Sequence, residues 1–412
     1  MLKLIVTFIF FHFVFISCAQ NGIKKFVKQA AVPITTIDPN ATNYFDLEVI
    51  GNAIGEAKIV MLGEQDHGDA PTFLAKTRLI KYLHEEKGFN IVAFESDFFG
   101  LNYGWDNLKK EKGLLDSFIQ MNILPIWTYC HTCRNLFYQY IPDSYNTNRP
   151  ITITGFDNQM VLQYSSKNIV SKLDSVLRSL DVAIVSQDDY VSEVLPTIDS
   201  LKNFYSVAPK NPAFYLKCDY YLHEMKRQAG KKLGMDNFWM MTIDNLIQES
   251  KAFQTKNSDF SLSNRVRDSQ MGQNLRWITE VKYPKEKVIV WAANGHVAKN
   301  SGRSNNYPYS MGTFFTRDSL LLRQTYIIGF TSYDGVAGRL GWENYALDKP
   351  MRDGFENWID KSSDYAFVNF KNFKEKAEPF YLKGQMHSNL RKDWSNIFDG
   401  VFFIRKMYPC EK

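Results

Sequence analysis

No Gly-x-Ser-x-Gly elbow occurs in the 412 residues, which argues against a serine esterase built on a strand–turn–helix nucleophile. No stripe of Lys and Arg with interleaved aromatics is present, and the net charge of +5 is spread along the chain. Nucleic acid is therefore not an expected partner. Cysteine is scarce, at five residues. Cys130-His131-Thr132-Cys133 has no second ligand pair at a zinc-site spacing. Nor does it open a helix after a strand, as a thioredoxin-like pair would. Structural or disulfide-linked cysteines are expected, with the pairing left open. Beyond the amino terminus no apolar run approaches the roughly 20 residues that a membrane-spanning helix needs.

The amino terminus itself differs from the rest. Lys3 is followed by a mostly apolar run from Leu4 to Ile16, broken by Thr7 and His12. The run is too short to span a bilayer and suits a signal-peptide core. It ends at Ser17-Cys18, which resembles a lipobox, although Phe15 stands where Leu is usual. Residues 1–17 are thus expected to be a lipoprotein signal peptide, Cys18 the lipidated first residue, and 18–45 a tether. The protein is expected to be exported to the cell envelope, facing the periplasm or on the outer membrane. Its membrane contact would be only through the anchor. Without Cys18, four cysteines remain, an even number that fits an oxidising compartment.

What the chain does have is apolar residues, at 45%, against 23% charged, enough for a large core. Short apolar runs read as strands at 58–62, 90–95, 151–157, 288–292 and 326–330, with further runs at 365–368 and 401–404. Pro71 to Lys87 reads as a helix with Phe73, Thr77, Ile80 and Leu83 facing inward and Gly88 ending it. Between about 166 and 280 only helices are evident. The expected fold is an α/β domain over 46–412. A mostly parallel sheet is flanked by helices, and a helical insertion or cap fills about 166–280.

In an open parallel sheet, ligands bind beyond the carboxyl ends of the strands. Those ends carry Gly63-Glu64-Gln65-Asp66-His67-Gly68, Glu95-Ser96-Asp97, Gly155-Phe156-Asp157 and Asn294-Gly295-His296. A neutral imidazole, with an ordinary pKa of about 6.5, can take a proton from water near neutral pH. A carboxylate on its other nitrogen fixes the tautomer; Glu64 or Glu95 suits that task for His67. His296 would stabilise an oxyanion or protonate a leaving alcohol. Gly63 and Gly68 are expected to let the backbone turn sharply and approach a ligand closely. Asp157 is a candidate for substrate contact or for anchoring a turn. Arg267, Met271, Asn274 and Trp277 share one helix face, from which Arg267 and Asp268 would support the site.

The run Gly63-Glu64-x-x-His67-Gly68, then Phe73, Lys76, Arg78-Leu79 and Gly88-Phe89-x-x-Val92-Ala93-x-Glu95, resembles the opening signature of the erythromycin esterase family. The likeness continues through Trp127, Gly155-Phe156-Asp157-x-Gln159, Arg267-Asp268, Trp291-Ala292-x-Asn294-x-His296, Met311-Gly312 and Ile328-Gly329-Phe330. It covers about 50–340. The resemblance implies hydrolysis of carboxylic esters, macrolide lactones among them, by metal-independent attack of water on a small-molecule substrate. It implies no cofactor, His67 as general base positioned by Glu95, and Glu64 on the water or substrate. It makes His296 a second essential imidazole, and Lys76, with neighbouring Arg78, a lining of the pocket. The chain departs from the pattern at Ala293, where many relatives have a further His, and at Lys76, where Arg is usual. The alternatives are a metal- or haem-binding surface lipoprotein, with Glu64, His67 and Glu95 as ligands, and a non-catalytic ligand-binding relative.

Overall fold

A computed structural model describes residues 22–203, 212–256, 258–301, 310–375 and 378–412; the expected signal peptide and Cys18 lie outside them. The strands are β1 (Val32–Ile34), β2 (Ile59–Leu62), β3 (Phe89–Asp97), β4 (Thr152–Asp157), β5 (Lys287–Trp291), β6 (Thr325–Ala337), β7 (Tyr345–Ala346), β8 (Tyr365–Asn369), β9 (Phe380–Gln385), β10 (Ser388–Lys392) and β11 (Gly400–Met407). The main sheet runs β1-β8-β11-β6-β2-β5-β3-β4, with β7 added beside β6. From β11 to β4 every neighbour is parallel. Only the pairings of β8 with β11 and with β1 at one edge, and of β7 with β6, are antiparallel.

Ile59–Leu62 of β2, Ile91–Phe94 of β3 and Val288–Trp291 of β5 are apolar throughout because both faces of the sheet are covered. Val60, Leu62, Val92, Phe94, Ile289 and Trp291 pack into one layer. The intervening Ile59, Met61, Ile91, Ala93, Val288 and Val290 pack into the other. Helix α1 (Ala70–Lys87) covers the first face, with Pro71 in its first turn and Gly88 closing it in the left-handed conformation at φ 73°.

Between β4 and β5 the described residues form no strand, as expected. Helices α2 (Gln163–Ser179), α3 (Pro212–Ala229), α4 (Phe238–Thr255) and α5 (Phe260–Trp277) fill the interval. Ile169, Leu173, Leu177, Leu222, Met225 and Ile243 form a separate core inside this insertion. Helix α5 leaves the insertion and lies along β4, which carries its Arg267 and Asp268 to the sheet.

One expectation about the chain's organisation needs correction. The stretch expected as a tether is folded from residue 22 onward. A helix over 22–30 buries Ile23 and Val27, and Val32–Ile34 pairs with β8. Pro33 is tolerated there because β1 is an edge strand. The polar composition was misleading because the short helix needs only two buried side chains. The cysteines are structural or disulfide-linked, as expected, and the open pairing is resolved: Cys130 pairs with Cys410, while Cys133 and Cys218 are buried thiols.

Candidate active site

The carboxyl ends of β2, β5, β3 and β4 lie side by side in the sheet. The chemistry they carry converges as a result. Backbone pairing of β2 with β5 runs past the strand ends, where the Asn294 N–H donates to Glu64 O at 2.7 Å. Asn294 fastens the turn further by donating to Phe330 O and Gly384 O, at 2.7 Å each. A Cβ on Gly63 would overlap Asn294 Oδ1, and one on Gly68 would overlap Gly338 O. These glycines serve close approach of protein to protein; neither has a positive φ.

Glu64 is fully buried and each of its oxygens is occupied. Oε1 lies 2.7 Å from His67 Nδ1 and accepts from Trp127 Nε1 at 3.1 Å, and Oε2 accepts from Lys76 Nζ at 2.7 Å. Burial opposes the charge of this carboxyl, yet Lys76 and His67 hold its pKa below the ordinary value. Lys76 is itself wholly buried, 4.0 Å above the Trp291 ring. Burial pushes its pKa down despite the pull of Glu64. With Nδ1 engaged, Nε2 is the nitrogen that His67 offers to the cavity it lines.

The second imidazole sits in a different electrostatic setting. His296 Nδ1 is 2.7 Å from Asp268 Oδ1, and Nε2 is 3.2 Å from Glu95 Oε1. Burial alone would lower its pKa, but the Asp268 and Glu95 carboxylates outweigh it and hold it at about 10. Arg267 donates to Glu95 Oε1 at 3.0 Å and clamps Asp157 at 2.6 and 3.0 Å. Glu95 Oε2 accepts from the Ala293 N–H at 3.0 Å. His296 and Arg267 together hold the Glu95 carboxyl well below its usual pKa against the burial that opposes its charge. Met311 N–H fixes Asp268 at 2.8 Å.

His67, Arg267, Asp268 and His296 line one cavity of about 470 Å³ with Asp66, Arg339, Gln385, Met386 and Lys392. The expected partnership of His67 with Glu95 is not formed. Glu64 holds His67, and Glu95 holds His296, because β5 separates the ends of β2 and β3. Glu64 is likewise not placed on a substrate, since all its bonds go inward. Lys76 and Asp157 lie behind the cavity wall rather than on it. Arg78 is elsewhere: buried on the far side of α1, it binds Asp46 at 2.7 Å and the Thr36 and Asn43 carbonyls. Arg339, which donates to Asp66 at 2.6 Å, and Lys392 were missed. They come from connections and a hairpin with no strand-end signal of their own.

Among the described residues no group of three or more His, Cys, Asp or Glu side chains is disposed to hold a metal ion. The acids nearest the two imidazoles already face Lys76, Trp127, Arg267 and a backbone amide.

The solved structures most like this fold include a Bacillus cereus protein (TM-score 0.71, 20% identity, covering 95% of this chain and 98% of that one). Another is a variant of the erythromycin esterase EreC in its open conformation (TM-score 0.70, 16% identity, 92% and 97% covered). By sequence, the chain is 26% identical to YbfO of Bacillus subtilis, provisionally named a hydrolase, over 72% of this chain and 70% of that one. It is 22% identical to erythromycin esterase type II of Escherichia coli over 94% and 98%. The family model described as erythromycin esterase matches residues 84–406, a span holding Glu95, Asp157, Arg267 and His296 and beginning after His67. With most of its length matched, this chain belongs to the erythromycin esterase family.

Proposed function

We propose that this hydrolase-family protein cleaves carboxylic esters with His67 as the general base. Neutral His67 takes a proton from water at Nε2, and the resulting hydroxide attacks the ester carbonyl carbon. Arg267 and the His296 imidazolium face the oxygen on which negative charge develops. The tetrahedral intermediate then collapses: its bond to the alcohol oxygen breaks, and the alcohol leaves with the proton from His67. Glu64, its own charge offset by Lys76, keeps the His67 ring in the tautomer that accepts at Nε2.

The observation that carries this proposal is the asymmetry of two imidazoles in one cavity. His67 has one carboxylate partner that it shares with a lysine; His296 is clamped between two carboxylates. One suits a base and the other a fixed cation. No cofactor is required by this chemistry, and macrolide lactones are among the substrates to try.

The test is a panel of esters and macrolides, run with wild type and His67→Ala, with and without a chelator. Hydrolysis that needs His67 and survives chelation supports the proposal. Full activity of His67→Ala overturns it, and loss on chelation favours a metal site instead. Export and a lipid on Cys18 are part of the same proposal. Labelled palmitate should enter wild type and not Cys18→Ala.

A further inference from the structure

Ser332, His387 and Asp69 form a chain of side chains outside the cavity. Ser332 Oγ is 3.1 Å from His387 Nδ1, and His387 Nε2 is 2.9 Å from Asp69 Oδ1. The arrangement has the membership of a nucleophilic triad, but Ser332 and Asp69 are fully buried and none of the three lines the cavity. Its far end leads elsewhere. Asp69 Oδ2 accepts from the Asp66 N–H at 3.0 Å, and Asp66 Oδ1 accepts from the His67 N–H at 2.8 Å. The chain therefore ends on the backbone of the proposed base.

His387 reaches Asp69 from an unfavourable backbone. Met386 and His387 are the two residues of the β9–β10 turn, and both have positive φ, 44° and 54°. Such two-residue hairpin turns ordinarily take Asn or Gly, because a Cβ is disfavoured there. The tip is held on the site loop a second time, by the Met386 N–H donating to Gln65 O at 3.0 Å. Strained non-glycine backbone of this sort persists where the surrounding contacts require it.

We propose that His387 is a positioning residue for the hydrolysis: through Asp69 it sets the Glu64–Asp69 loop and hence the direction of His67. This rests on the hydrolase proposal above. Without the imidazole, the buried Asp69 carboxyl loses its partner at Oδ1, and the acceptor that orders the Asp66 N–H is no longer held in place.

The experiment compares His387→Gln, whose amide nitrogen can reach Asp69, with His387→Gly, which suits the turn but cannot. His387→Gly should lower kcat about 10- to 100-fold with KM little changed, while His387→Gln keeps most of kcat. Adding Asp69→Asn to His387→Gly should cost little more, since both act on one link. Equal kcat in the two variants, or full kcat in His387→Gly, overturns the inference. Histidine ring resonances give a readout independent of turnover, so the inference remains testable even if no ester is cleaved by wild type. A displaced His67 signal in His387→Gly that returns in His387→Gln supports it, and an unmoved signal in both overturns it.

Discussion

The Nδ1 atom of His67 lies 2.7 Å from Oε1 of Glu64, on the carboxylate whose other oxygen takes Lys76 at 2.7 Å. The imidazole is thus oriented by an anion whose charge is already balanced. Glu64→Gln would keep the shape but offer an amide that can donate to Nδ1 and select the wrong tautomer. We expect kcat to fall by roughly 10²- to 10⁴-fold with little change in KM, measured by steady-state kinetics on whichever ester wild type cleaves.

The His296 imidazolium gives an alkaline limit. Its pKa in the folded protein, about 10, lies above the ordinary value, so its bound proton stabilises the fold fully below about pH 6.5. That contribution declines as pH rises toward the folded value. The urea midpoint gap between wild type and His296→Gln should be widest below pH 6.5 and shrink toward pH 10. If the charge serves the oxyanion, the wild-type rate should also decline as pH nears 10.

Arg78 should affect stability and leave kinetics alone. Its side chain is 2% exposed and paired with Asp46, which is 10% exposed. Arg78→Ala strands that carboxylate and two backbone carbonyls, at a cost of about 3–5 kcal/mol. Chemical denaturation should show the loss, and the surviving folded enzyme should have the KM of wild type.

Reduction should reach the site through the carboxyl-terminal segment. Cys410 N–H donates to Gly68 O at 2.8 Å, His131 N–H to Glu411 O at 2.7 Å, and Ala70 N–H to Tyr408 O at 3.2 Å. The Cys130–Cys410 disulfide fastens this strip between the His67 loop and the segment bearing Trp127. Cys410→Ser should lower stability by about 2–5 kcal/mol. It should also lower kcat at temperatures where the protein is still folded; thermal melts and kinetics run in parallel would show both.

Much of this molecule is legible in its sequence, for reasons that also mark where legibility stops. Ile59 to Leu62 and Val288 to Trp291 announce themselves because burial on both faces leaves no room for polar residues. His67, Glu95 and His296 stand out because parallel strands deliver their carboxyl ends to one edge. Which acid meets which imidazole depends on lateral strand order, and Glu95 follows His67 closely in sequence while β5 lies between their strands. Arg78 misled because it sits two residues from Lys76, and positions two apart on a helix face away from each other. His387 left no trace, since a Met-His turn does not look like a hairpin turn.

The place of β5 between β2 and β3 also sets when the chain can become competent. The flanking strands β2 and β3 end 225 and 190 residues before it begins, and nothing local can hold their proper spacing meanwhile. A fragment ending before Lys287 would lack the strand that spaces Glu64 from Glu95 as well as His296 itself. Competence should therefore arrive in one late step of folding and not accrue gradually, as is usual for contacts so distant in sequence. On the proposal that the chain is exported, its export while unfolded would leave no active form on the inner side of the membrane.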